Sequence, residues 1–226
     1  MPPPMPQPEP RHLRPHGDVA ERVLVPGDPG RALRIAQWLL ESPKMLNHHR
    51  GLWGYTGVAP DGAPLTVQST GTGGPSAAIV CADLVALGAR RLVRVGTCTA
   101  LASHVPAGKT IVADPVLARD GASRALGAAD RLEPDPVLAA ALALAAGPEA
   151  LRGPVMTADV FSVGDGEGAL ALDLESAAVL AVAGRHGLAA AAVLVVSGGP
   201  DDAGLEGEEL EAAEQALGRA ALAALG

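Results

Sequence analysis

Three short segments of the 226-residue chain place chemically active side chains where an apolar run gives way to a turn or a helix. In Val25-Pro26-Gly27-Asp28-Pro29-Gly30-Arg31, glycine lets backbone N–H groups approach an anion while Arg31 enters the next helix. A plain structural turn is the competing reading. In Arg94-Val95-Gly96-Thr97-Cys98-Thr99, a charge interrupts an apolar strand and must find a partner, because an unpaired buried charge is costly. An anion held by Arg94 and the Thr97 hydroxyl would supply that partner, and so would an internal arginine–carboxylate pair. Leu172-Asp173-Leu174-Glu175 carries two carboxylates two residues apart, on one face if the segment is extended. They could accept hydrogen bonds from sugar hydroxyls or cap the helix that follows. A fourth segment, Ser69 to Ser76, superficially suggests a dinucleotide fingerprint. It lacks the third glycine and a suitably placed downstream acid.

The elements around these segments set the expected architecture. Apolar runs at Arg22 to Val25, Leu65 to Ser69, Arg91 to Val95 and Ala190 to Val196 read as strands. Helix-length periodic stretches follow at Arg31 to Leu40 and Pro75 to Leu87, with others at Pro136 to Ala146, Glu175 to His186 and from about Glu206. This rhythm predicts a mixed sheet with helices on both faces. Pro60-Asp61-Gly62, between Trp53–Val58 and Leu65–Ser69, predicts an antiparallel hairpin. Residues 1–11 read as a disordered Pro-rich lead and residues 12–226 as one domain.

Composition excludes several classes. The net charge of −8 argues against a protein that neutralises nucleic-acid backbones, and aromatics at 2% argue against base-stacking platforms. Cys81 and Cys98 lack metal-ligand spacing and read as packed thiols in a reducing compartment, and the six histidines show no zinc pattern. No signal segment or membrane span is evident, so the expectation is a soluble cytoplasmic protein.

Read in order, six blocks resemble the trimeric and hexameric purine nucleoside and uridine phosphorylases. They are His12-Leu13 with Gly17 to Leu24, Val25 to Ala32, Asn47-His48-His49-Arg50-Gly51, Ser69 to Ser76, Arg94 to Ala100, and Leu172 to Ala177. The resemblance implies a three-layer α/β/α domain that performs reversible phosphorolysis, with inorganic phosphate as co-substrate and no metal or organic cofactor. It assigns Gly27, Arg31, Arg94 and Thr97 to phosphate, joined by Arg50 from a neighbouring subunit. It assigns Leu174 and Glu175 to the ribose, with the neighbour's His12 near the 5′ end and His16 as the second candidate. It places Cys98, Thr99, Phe161 and Ser197 beside the base, and it implies a homo-oligomer with a dimer as the minimum unit and a hexamer as a trimer of dimers.

The match breaks at the base. Purine-specific relatives carry an acid after the serine that ends the last core strand, whereas this chain has Ser197-Gly198-Gly199-Pro200. Asp201 and Asp202 are the remaining proton-donor candidates, with a solvated loop as their competing reading. After Thr157-Ala158-Asp159-Val160-Phe161 only a short Gly-rich stretch precedes Leu172, so the uridine-reading pair is missing and a purine is favoured over a pyrimidine. Phe161 either stacks on a base or packs in the core, and Thr99 stands where the family has glycine. Two other readings stay open: a nucleosidase using water, and a catalytically weak binding homologue that keeps the anion site.

Overall fold

A computed structural model describes residues 9–161, 166–199 and 204–226 of the chain. Among them are ten strands and six helices: β1 (Arg22–Val25), α1 (Pro29–Leu39), β2 (Glu41–Asn47), β3 (Gly54–Val58), β4 (Pro64–Gln68), α2 (Gly74–Ala86), β5 (Arg91–Ala100), β6 (Thr110–Ala118), α3 (Gly121–Ala125), β7 (Arg131–Leu132), α4 (Pro136–Ala146), β8 (Leu151–Thr157), β9 (Ala171–Asp173), α5 (Ser176–His186), β10 (Ala189–Gly198) and α6 (Gly207–Leu225).

The fold is the expected single-domain α/β/α arrangement around a mixed sheet. Along β10, Ala190, Ala192, Leu194 and Val196 pack into the cluster covered by α2 and α5. The intervening Ala191, Val193 and Val195 pack with α1, α4 and α6. A strand buried on both faces is apolar without alternation, which is why these segments read as short continuous apolar runs.

Local chemistry fixes the helix starts. Asp28 accepts the Arg31 backbone N–H at 2.5 Å and Asp135 accepts that of Leu138 at 2.9 Å, each followed by proline in the first turn. Glu175 stands at the N-cap of α5, as expected of an acidic residue opening that helix, but its side chain makes no cap bond. Asp173 caps α5 instead, accepting the Ser176 N–H at 3.0 Å and its hydroxyl at 2.7 Å. The predicted hairpin is present, with β3 and β4 antiparallel.

β5 organises the site. Its first residues pair with β1, ending at Val25 opposite Arg94, and its last pair with β9, beginning at Thr99 opposite Leu172. Its other edge pairs with β10 along nearly its whole length. Between the end of β1 and the start of β9, residues 95–98 lack a strand neighbour on one edge. This split lies at the carboxyl ends of parallel strands, where open α/β sheets bind ligands. The lead at residues 1–8 lies outside the described residues.

Candidate active site

A cavity of about 260 Å³ occupies the split. Gly27, Arg31, Arg94, Thr97, Cys98, Thr99, Phe161, Leu174, Glu175 and Ser197 all line it. These come from five segments far apart in sequence, so the split in the sheet gathers ten of the residues singled out above. Asp28, Gly71, Thr72 and Asp173 complete its charged and polar wall.

Arg94 is the centre of the arrangement. It is 3% exposed, and it donates from Nε to Asp173 Oδ2 at 2.7 Å and from Nη2 to Glu175 Oε2. Its Nη1 is buried with no hydrogen-bond partner. Arg94 thus forms the internal arginine–carboxylate pair and keeps one unpartnered guanidinium nitrogen, while its side chain lines the cavity. Burial works against its charge, yet the pull of Glu175 and Asp173 holds its pKa above the ordinary arginine value. Gly96 makes this geometry possible, since a Cβ there would lie 3.0 Å from the Arg94 guanidinium carbon.

The carboxylates are held as tightly as the arginine. Asp173 is 1% exposed and also accepts the Thr157 hydroxyl at 2.6 Å. Glu175 Oε1 accepts the Gly73 N–H at 2.7 Å, tying the loop before α2 to the start of α5. A Cβ on Gly27 would stand 3.9 Å from both Arg94 Nη1 and Glu175 Oε1, so glycine keeps open the space between them. Arg31 comes from the opposite layer of the sandwich, with its Nε 2.6 Å from Glu214 Oε1 on α6. Its terminal nitrogens have no partner among the described residues.

At the base end, Cys98 is buried, and burial together with the Asp173 charge pushes its thiol far above the usual value. Ser197 donates its hydroxyl to the Cys98 carbonyl at 3.3 Å. Phe161 is 63% exposed and lines the cavity, so its core-packing reading is overturned. Gly198 is backed by the returning chain: a Cβ there would meet the Gly204 Cα at 3.4 Å. Asp201 and Asp202 lie outside the described residues.

Two expected contributors do not line the cavity. Arg50 is exposed in a one-turn 3₁₀ segment, with φ of 61° and no hydrogen bond or ion pair among the described residues. The backbone N–H groups of Arg11, His12 and Leu13 converge on the buried Asp83 carboxylate of α2 at 2.6–3.0 Å. The His12 carbonyl accepts from His49 Nδ1 at 2.9 Å. His16 stacks on His48 with ring centroids 5.4 Å apart. His12, His49 and Arg50 thus form one surface cluster apart from their own chain's cavity.

Sequence reasoning missed Gly96, Glu214 and the clamping role of Asp173. The Arg-x-Gly spacing signals the first, while Glu214 sits in an acidic helix with nothing in its neighbourhood to single it out. Among the described residues no group of three or more histidine, cysteine, aspartate or glutamate side chains could hold a metal ion.

The fold and the cavity together define an α/β protein with an arginine-centred pocket at the carboxyl ends of its strands. The chain belongs to the phosphorylase superfamily, whose family model matches residues 21–225. It is 34% identical over 216 residues to a DeoD-type purine nucleoside phosphorylase of Caldanaerobacter subterraneus subsp. tengcongensis, covering 88% of this chain and 90% of the relative. It is 35% identical over 202 residues to a guanosine phosphorylase of Halorubrum lacusprofundi, covering 84% and 83%. Among solved structures, a uridine phosphorylase of Vibrio fischeri aligns with a TM-score of 0.79 at 26% identity, covering 92% of this chain and 90% of that one. The family expected from the six sequence blocks is thereby borne out.

Proposed function

We propose that the chain catalyses phosphorolysis of a nucleoside to the free nucleobase and a pentose 1-phosphate, with purines favoured over pyrimidines. A phosphate oxygen attacks C1′, the C1′–N bond breaks with its electron pair leaving on the base, and the base takes up a proton. Catalysis is positioning of the nucleophile and stabilisation of charge that develops in an oxocarbenium-like state. Arg94 Nη1, Arg31, Thr97 and the open space at Gly27 would receive the phosphate. Glu175 and Leu174 would hold the ribose. Cys98, Thr99, Phe161 and Ser197 would line the base, with Asp201 or Asp202 as the proton donor. Inorganic phosphate is the co-substrate, and no metal or organic cofactor enters the scheme.

The buried, unpartnered Arg94 Nη1 carries this reading. A guanidinium nitrogen desolvated and left unpaired is costly unless a ligand completes it. Retention of Arg31 and Arg94 also disfavours a water-using nucleosidase, which has no phosphate to bind. One observation favours the binding-only alternative: Gly198 follows Ser197 where purine-specific relatives carry an acid.

The cavity of one chain presents Arg31 and Arg94 against Asp28, Asp173 and Glu175, an excess of negative charge that opposes a dianion. An added cation is needed, and Arg50, exposed and unpaired, is suited to reach a neighbour's cavity together with His12. The functional unit on this reading is a homo-oligomer, at minimum a dimer and at most a hexamer built as a trimer of dimers, in the cytoplasm. No helix among the described residues is long and apolar enough to cross a membrane.

The experiment is base release from inosine, adenosine, uridine and methylthioadenosine, each with and without phosphate. Phosphate-dependent release is expected. Release independent of phosphate would establish the nucleosidase, and thermal stabilisation by ligand without turnover the binding homologue.

A further inference from the structure

We propose that Glu214, on the C-terminal helix, is a positioning residue that orients Arg31 for the bound anion; this rests on reading the cavity as a phosphate site. Glu214 is 1% exposed, an expensive place for a carboxylate unless arginines hold it. Its Oε1 accepts from Arg31 Nε at 2.6 Å, and its Oε2 accepts from Arg34 Nη2 at 2.6 Å and Nε at 3.2 Å. Grip at Nε matters because a guanidinium is a rigid planar fork. Fixing one edge sets the direction of the two terminal nitrogens, and on Arg31 those nitrogens are free among the described residues while the side chain lines the cavity.

The helix pair brings the carboxylate into place. A Cβ on Gly218 would lie at contact distance from Leu39 and Ile35, 3.5 and 3.6 Å away, so α6 packs against α1 at this point. Arg31 and Glu214 each stand one turn before that contact, at i−4 from Ile35 and Gly218. Helix packing alone asks only for a small or apolar residue at 214. A buried carboxylate shared by Arg31 and Arg34 is explained by what it does to Arg31. Arg34, 31% exposed at its side chain, gives Glu214 a second cationic partner without consuming the terminal nitrogens of Arg31.

The test is calorimetric titration of the full chain with inorganic phosphate, for wild type, E214L and E214Q, with KM for phosphate and for the nucleoside measured alongside. E214L is expected to weaken phosphate about tenfold or more in Kd and KM, while the nucleoside KM changes less than about twofold. E214Q keeps an acceptor for Arg31 Nε but loses the charge, and is expected to weaken phosphate by about threefold, less than E214L does. Equal phosphate affinity in all three proteins overturns the assignment. So does tighter binding in the variants, which would mean that Glu214 competes with phosphate for Arg31. If E214L does not fold, E214Q decides: weakening of about threefold supports the proposal and none overturns it. A wild-type chain that binds no phosphate defeats the anion-site reading itself, and this inference with it.

Discussion

Replacing Arg94 by methionine tests the stability and the chemistry of the site in one protein. The substitution fills similar volume but leaves Asp173 and Glu175 without their counter-charge, at 1% and 6% exposure. Orphaning a buried charge costs about 3–5 kcal/mol. Here both carboxylates keep other donors, Thr157 and Ser176 for Asp173 and Gly73 for Glu175, which puts the cost near the lower bound, about 3 kcal/mol. At about 2–4 °C per kcal/mol for a chain of this length, Tm should fall by about 6–12 °C. A double variant, R94M/E175Q, removes one of the two unopposed charges and should recover part of the loss. Phosphate loses a charge-assisted hydrogen bond worth about 1.5–3 kcal/mol, so its Kd should rise about 10- to 150-fold. Scanning calorimetry and phosphate titration read the two effects separately. The reasoning fails if R94M binds phosphate as wild type does, or melts where wild type melts.

Two further perturbations probe the walls of the cavity. Gly27→Ala adds a methyl group at ordinary contact distance from Arg94 Nη1 and Glu175 Oε1, and 3.4 Å from the Gly71 carbonyl. Stability should change by less than about 1 kcal/mol, while phosphate titration should show affinity down by about tenfold or more; undiminished affinity would place the anion elsewhere. Cys81 and Cys98 are buried free thiols, and burial pushes the Cys81 thiol up to about 12. A disulfide-exchange reagent should titrate neither in the native chain at pH 8 and both after denaturation. Because the fold favours the neutral thiol, the stability this contributes is complete below the unfolded value of about 8.5 and is lost as pH rises toward about 12. Rapid reaction of the native protein at pH 8 would contradict the burial.

The parts of the fold legible in the sequence are those whose local chemistry agrees with their tertiary role. α1 and α4 announce themselves by an aspartate cap and a following proline, and β1, β5 and β10 by apolar runs that both helical layers cover. The strands that escape prediction carry contrary signals. β2 reads Glu-Ser-Pro-Lys-Met-Leu-Asn and survives at the edge of the sheet, where proline and charge are tolerated. β8 holds Gly153-Pro154 and β6 holds Asp114-Pro115, pairs that locally read as turns. Arg94, Thr97 and Glu175 stand out because polar residues beside apolar strands demand partners. Glu214 does not, because on an isolated acidic helix a buried glutamate and a solvated one look alike, and only the packing of α6 on α1 distinguishes them.

Arg31 and Arg94 belong to opposite layers of the sandwich, one on a helix below the sheet and one beneath the helices above it. A small anion gripped by both would act as a cross-brace between the two cores that the sheet separates. Saturating phosphate should then raise the melting temperature of the whole chain rather than quieten one loop. Each helical layer would also be constrained by the other's side chains for as long as the ligand is held.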